Sequence, residues 1–181
     1  MKSKQARKAA ASRHIVIDTN ILRGASKAQA GPPPGSVCRD ALDHILASNH
    51  RMVTCRYLVA EYEKHCGKHG LIFWRSMQRK KRVSRTAGAP TAYSERWVED
   101  VRLGSNQKKE LAKDVPLVLA AIEESGSVLS QETNARDLLA RVLDAKDPKV
   151  AWAVLAADDD PLRWLKAGAN PADAWIETPR T

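Results

Sequence analysis

The segment HIVIDTN, residues 14–20, decides the fold of this 181-residue chain. Its apolar run His14–Ile17 predicts a short buried strand that leaves Asp18 at its carboxyl end. A second strand is predicted over Arg51–Thr54, after a helix over residues 36–48 for which Ser36 is the candidate N-cap. Because strands and helices alternate along the chain, we expect an α/β fold with a parallel sheet.

Later elements follow from the same patterns of apolar spacing and turn residues. Helices are predicted to begin within residues 57–62 and to span 115–124 and 135–143, and a last helix, capped by residues 158–160, runs through 165–166. Strands are predicted over 127–130 and 150–155. The stretch 67–104 is less regular, with a helix indicated at 71–77 and a loop at 84–91.

The composition excludes several classes of protein. Hydrophobic residues make up 43% and charged residues 28%, so the chain can bury a core and is not a disordered polymer. Its longest apolar run, residues 115–122, is far shorter than the roughly 20 residues that span a bilayer. No signal core follows the basic N-terminus, and the three cysteines are expected to be reduced thiols, which predicts a cytoplasmic protein. The cluster His65–His69 lacks the second ligand pair of a zinc site.

The net charge of +9 lies in two stretches of the chain. Residues 1–13 carry five Lys/Arg and no acid, and residues 64–113 carry thirteen Lys/Arg and four acids. We therefore predict a basic flexible tail at 1–13 and one domain at 14–181, with a basic insertion around 67–110. The densest run comprises Arg75, Arg79, Lys80, Lys81, Arg82 and Arg85. Beside Phe73 and Trp74 it suits phosphate contacts and base stacking, although a solvated surface without a ligand is the alternative.

Four acids are predicted to face one crevice. Asp18 follows the first strand, Glu61 lies in the helix after the second, Asp114 opens the helix at 115–124, and Glu132 follows the strand at 127–130. Ligands of parallel sheets bind beyond the carboxyl ends of the strands. Converging carboxylates need a cation, which predicts Mg²⁺ or Mn²⁺ bound through oxygen. Taken singly, each acid is also explained as a cap or as a solvated helix residue.

The motif at residues 15–20 resembles the opening strand and Asp-Thr-Asn motif of PIN-domain nucleases. The segments LVAE (58–61) and VLSQE (128–132), with Asp114 between them, are similar to the family's later motifs in the same order. The resemblance implies a three-layer α/β/α sandwich and an endoribonuclease that cleaves RNA with metal-activated water. It implies Asp18, Glu61, Asp114 and Glu132 as catalytic metal ligands, oriented by Thr19, Asn20, Ser130 and Asn134.

The same resemblance suggests partners. Small PIN proteins are commonly toxins of the VapC kind, so besides RNA it implies an antitoxin protein, and it leaves a homodimer open. No membrane partner is implied.

Two departures from the family pattern concern the fourth acid. Glu132 stands where the family usually has Asp, and Asn134 stands where a further Asp is common, so Asp137 is an alternative. These departures leave open a catalytically silent PIN-like module that binds RNA or protein. A phosphatase of the haloacid dehalogenase type is disfavoured because Asn20 occupies the place of its second Asp.

Overall fold

Five short parallel strands form the centre of the molecule. The computed structural model describes residues 12–27, 34–155 and 161–176. Its strands are β1 (His14–Ile17), β2 (Arg51–Thr54), β3 (Val83–Arg85), β4 (Ser127–Ser130) and β5 (Ala151–Val154). They pair side by side in the order β3-β2-β1-β4-β5, and every pair is parallel. The α/β fold with a parallel sheet is therefore confirmed.

Helices flank this sheet. They are α1 (Thr19–Gly24), α2 (Pro34–Ala47), α3 (Arg56–His65), α4 (Lys68–Arg79), α5 (Ala92–Glu99), α6 (Ser105–Glu123), α7 (Asn134–Val142) and α8 (Pro161–Lys166), with a 3-10 turn at Pro171–Ala174. Helix α6 packs on β1, β2 and β4 and contacts α5 and α7, while α1, α2 and α4 contact one another and α2 contacts α8. Among the helices that the structure describes, none has both the length and the apolar content needed to cross a bilayer.

The central strand is apolar because both of its faces are covered. Consecutive residues of a strand point to opposite faces, and Ile15, Val16 and Ile17 are all fully buried. The chain then leaves the core at Asp18, whose backbone N–H still donates to the Leu129 carbonyl of β4 over 2.9 Å. The end of β1 is thus fixed against β4 at the point where the first acid stands.

Two predicted helix starts are wrong. Helix α2 begins at Pro34, so Ser36 lies inside it and is not its N-cap. Helix α6 begins at Ser105, so Asp114 lies in mid-helix and does not open it. The reason is that Pro116 is accommodated within α6, where its cost is the lost bond to the carbonyl four residues earlier and the local ring clash. The cap predicted at 158–160 lies outside the described residues.

The stretch 67–110 completes the sheet. It supplies α4, α5, the start of α6 and the edge strand β3. The loop predicted at 84–91 therefore overlaps the end of β3. Helix α4 packs against α1 at Gly70, since a Cβ there would lie 2.5 Å from the Leu22 carbonyl oxygen. Phe73 and Trp74 of α4 are buried in the core, so they are not the stacking surface that the sequence predicted.

The two edge strands of the sheet are treated differently by the chain. At one edge, the backbone of Trp175 bridges Ala151 of β5 in antiparallel fashion, and the Ile176 N–H donates to the Val150 carbonyl over 2.8 Å. At the other edge, β3 is only three residues long. Arg82 precedes it, and its last residue, Arg85, is exposed.

Candidate functional site

Asp18 is held in one orientation by three hydrogen bonds. Its Oδ1 accepts from the Asn20 backbone N–H over 3.1 Å, which makes Asp18 the N-cap of α1. Its Oδ2 accepts from the Asn20 side-chain amide over 2.8 Å and from the Ser130 hydroxyl over 2.6 Å. The capping role considered from the sequence is therefore real, but the bonds to Oδ2 tie the carboxylate to β4 as well.

A hydrogen-bond network extends from Asp18 along the end of β4. Ser130 Oγ accepts from the Asn20 amide over 3.1 Å and from the Glu132 backbone N–H over 3.1 Å. Asn20 Oδ1 accepts from the Gln131 N–H over 3.2 Å. Asn20 and Ser130 therefore both hydrogen-bond to the Asp18 carboxylate and to each other. Thr19 opens α1, and within the described residues its hydroxyl makes no hydrogen bond to Asp18.

Asp114 faces the same region from the middle of α6. Burial, and after it the negative charges of Asp18, Glu132 and Glu110, together raise its pKa from 3.8 to about 7, against a smaller opposing effect of Lys113. Burial also raises the pKa of Asp18, and the Glu132 charge adds to this, while the Ser130 and Asn20 hydrogen bonds and the Arg23 charge lower it. Asp18, Asp114 and Glu132 therefore lie close enough for their charges to interact.

The fourth-acid candidates differ in their surroundings. Glu132 is exposed just beyond β4, and its charge acts on both Asp18 and Asp114. Asp137 is exposed in the first turn of α7, and Asn134 is exposed at the first residue of that helix. In the described part of the chain, the charge of Glu132 shifts the pKa values of Asp18 and Asp114, and the charge of Asp137 shifts neither.

Glu61 does not join the other acids in this structure. Its side chain is 55% exposed and its Oε2 lies 3.6 Å from His65 Nε2, one turn along α3. The next residue, Tyr62, is fully buried instead, and its hydroxyl donates to the Ile17 carbonyl at the end of β1. Burial raises the pKa of Tyr62 well above its usual value, and the Asp18 charge contributes. Helix α3 therefore presents a phenol, and not a carboxylate, to the end of β1.

The predicted basic run is split between the two ends of the sheet. Arg79, Lys80 and Lys81 are exposed between the end of α4 and the start of β3. In a parallel sheet all strands start at the same end of the sheet, which is the end opposite to Asp18 and Glu132. Arg85, at the end of β3, is on the carboxylate side, and Arg75 is exposed in α4.

Arg82 has a structural role. Its guanidinium donates to the backbone carbonyls of Ile45, Leu46 and Ser48, which are the last acceptors of α2 and the turn after it. A guanidinium at a helix C-terminus satisfies carbonyls that have no intrahelical partner. The prediction that Arg82 contacts RNA is therefore at odds with this structure.

Three residues of the site were not singled out from the sequence: Tyr62, Gln131 and Arg23. Arg23 is exposed on α1, and its charge lowers the pKa of Asp18. A signal for Arg23 was available, because it lies five residues after the Asp18 that the motif marks, on the helix that Asp18 caps. Tyr62 and Gln131 carried no such signal, since they act through a backbone carbonyl and a backbone N–H.

The acids suit a hydrated divalent cation better than a closed metal cage. Within residues 12–27, 34–155 and 161–176, no three His, Cys, Asp or Glu side chains lie close enough together to form a ready-made ligand group. The donors at the site are carboxylate oxygens, and the pKa of Asp114 is raised by burial first and then by repulsion from neighbouring acids, which a cation would relieve. Mg²⁺ keeps several of its waters and binds through one or two carboxylates, so Asp18 and Asp114 fit it chemically.

The sequence matches no protein-family model and no curated protein. Among solved structures, the chain has a weak likeness to one chain of "Crystal structure of VapBC2 from Rickettsia felis bound to a DNA fragment from their promoter". The TM-score is 0.37 at 14% sequence identity, over 69% of this chain and 92% of that chain. A likeness at this level carries no weight for the function, which depends on the geometry described above.

Proposed function

We propose that this chain is a divalent-metal-dependent endoribonuclease of the PIN kind. The observation that carries the proposal is that Asp18, which is hydrogen-bonded to Ser130 at the ends of β1 and β4, lies near enough to Asp114 and Glu132 for their charges to interact. Such a region attracts a hard cation and, through it, a phosphodiester. The Asp-Thr-Asn motif after the first strand supports the same assignment by resemblance.

The residues of the chain would divide the work as follows. Asp18 and Asp114 would hold Mg²⁺ or Mn²⁺, with Glu132 contributing through water. A bound cation would supply a water of lowered pKa for in-line attack on phosphorus, with the 3′-oxygen leaving as its bond to phosphorus breaks, and would neutralise charge on the phosphate. Ser130 and Asn20 keep Asp18 Oδ2 directed by their hydrogen bonds of 2.6 and 2.8 Å. Without a cation, Asp114 carries its proton up to near-neutral pH.

RNA bound at the carboxyl ends of the strands would contact basic side chains other than Arg79, Lys80 and Lys81. Arg23 and Arg85 are exposed on the carboxylate side of the sheet and are placed to meet a phosphate backbone there. An antitoxin and a homodimer stay predictions that rest on the family resemblance.

The direct test is cleavage of labelled structured RNA by purified protein, with Mg²⁺, with Mn²⁺ and with chelator. We expect cleavage only with metal, and we expect Asp18→Asn to abolish it while circular dichroism shows an intact fold. Asp137→Asn is the matched control, since it removes an exposed carboxylate of α7 and is expected to cleave as wild type does. Cleavage in chelator, or full activity of Asp18→Asn, would refute the assignment.

A metal-independent binding module of the same fold is the second candidate. It is favoured by two observations: Glu61 pairs with His65, and no three His, Cys, Asp or Glu side chains of the described residues form a ligand group. This candidate predicts RNA or protein binding that chelator leaves unchanged, together with no cleavage under any metal condition. The same incubation therefore separates the two functions.

A further inference from the structure

A cavity of about 470 Å³ opens beside β5. Its lining includes three indole rings, Trp152 of β5, Trp164 of α8 and Trp175 after the 3-10 turn. Three of the five tryptophans of the chain thus meet at one cavity. Its volume falls in the range of small-molecule pockets, which is roughly 300–1,000 Å³.

The indole rings are fixed before any ligand arrives. Trp164 Nε1 donates to the Asn170 carbonyl over 3.0 Å. The Lys149 ammonium lies 4.0 Å from the centre of the Trp175 ring, and the Trp175 backbone is bridged to β5. Trp152 is 2% exposed, and its indole N–H has no hydrogen-bond partner in the described ranges. Aromatic walls that are already ordered bind a planar ligand at low entropic cost.

The cavity also has charged groups that suit one chemical class. Arg136 of α7 lines it, is half-buried, and has no hydrogen bond or ion pair with the described residues. Arg163 lines it as well, and Asp173 provides a carboxylate at the wall. A planar ring system matches the indoles, a phosphate matches a guanidinium, and a carboxylate accepts from ribose hydroxyls or base amines.

We propose that this cavity binds a nucleotide, with its base against Trp164 and Trp175 and its phosphate at Arg136. The nucleotide is either a free nucleoside monophosphate or one unit of an RNA strand. The position of the cavity allows one unit of an RNA strand to enter it. Val154, which lines the cavity, pairs in register with Ser130 of β4, and Ser130 hydrogen-bonds to Asp18. Strands β1 and β5 are two strand spacings apart, or about 10 Å. A strand bound at the acids can therefore reach the cavity.

The test measures binding without cleavage, so it is independent of the proposed nuclease activity. Equilibrium dialysis in chelator, with labelled adenosine 5′-monophosphate as the probe, is combined with tryptophan fluorescence quenching. Saturable binding of the monophosphate is expected, with little binding of inorganic phosphate, because phosphate alone cannot stack. An oligoadenylate competes for the site if the cavity accepts a strand, and fails to compete if it accepts only the free nucleotide.

Three variants and a control locate the site. Arg136→Ala should weaken monophosphate binding by about 10-fold or more through the lost charged hydrogen bond, and Trp175→Ala should do so through the lost stacking surface. Arg141→Ala removes the same charge from an exposed position of α7 and should bind as wild type does. Failure of the wild type to bind, equal binding by Arg136→Ala, or equally tight binding of phosphate alone would overturn the proposal. Circular dichroism of each variant, with Arg136→Gln as a milder second change, excludes loss of fold as the cause.

Discussion

Replacing Asp114 by Asn should stabilise the metal-free protein at neutral and alkaline pH. In the folded chain the pKa of Asp114 is raised from 3.8 to about 7 by burial and by neighbouring acids. Below the unfolded value the carboxyl is protonated in both states and costs nothing. Between the two values the folded state keeps a proton that the unfolded state has lost, so stability falls as pH rises. Above pH 7 the cost is complete.

The size of the effect follows from the shift. At 1.36 kcal/mol per pKa unit, the full cost is about 4 kcal/mol, and contact with water at the partly exposed side chain reduces it to about 2–4 kcal/mol. Asparagine has nearly the same shape and no charge, and its unpaired amide costs about 1 kcal/mol at every pH. We therefore expect the stability of the variant relative to the wild type to rise by about 2–4 kcal/mol from pH 4 to pH 8. The variant should be about 1 kcal/mol less stable than the wild type at pH 4 and about 1–3 kcal/mol more stable at pH 8.

Urea unfolding in chelator across this pH range measures the difference directly. Asp137→Asn serves as the control, because it makes the same change at an exposed carboxylate of α7. Added Mg²⁺ should recover stability in the wild type at pH 8 and do so less in Asp114→Asn, since ligand binding to the folded state stabilises it. A difference between Asp114→Asn and wild type that is constant with pH would refute the account of this buried acid.

Three further outcomes are expected. Arg82→Ala should lower the free energy of unfolding by about 2–4 kcal/mol, because three backbone carbonyls lose a charged donor. The control Arg79→Ala, at an exposed position, should change it by less than about 0.5 kcal/mol. Equal effects of the two changes in urea unfolding would contradict the capping role of Arg82. Gly70→Ala should cost about 1–3 kcal/mol, because its Cβ meets a backbone oxygen at 2.5 Å, and a neutral result would show that α4 moves freely. Ser130→Ala should reduce metal-dependent cleavage by about 10-fold or more through the lost bond to Asp18; unchanged cleavage against Mn²⁺ concentration would remove Ser130 from the site.

The sheet was predictable because its signals are local. Strands β1, β2, β4 and β5 are short apolar runs bounded by polar turn residues, and burial of both faces requires that composition. Asp18 was predictable for the same reason, since the residue after a central parallel strand must lie at the ligand-binding edge. Strand β3 was missed because Val83–Arg85 is only half-buried and carries a charge, which is typical of a loop as much as of an edge strand.

The remaining features depend on contacts that the sequence does not display. Asp114 followed by Val115 and Pro116 is also the pattern of a helix start, and only packing of α6 along the sheet shows otherwise. Arg82 meets its carbonyls 34 to 37 residues back along the chain, so no local pattern announces the cap. Glu61 and Tyr62 differ by one helical position, about 100° of rotation, and tertiary contacts decide which of them faces Asp18.

The two edges of the sheet bear on self-association. A bare edge strand offers unpaired amides and carbonyls to any passing strand, which is a route to aggregation. Charge flanks the three-residue β3, and the Trp175–Ile176 backbone occupies the free side of β5. Truncation before Trp175 would therefore open β5 as a template for strand addition. The segment that lines the tryptophan cavity thus also protects the sheet from edge-to-edge pairing with another chain.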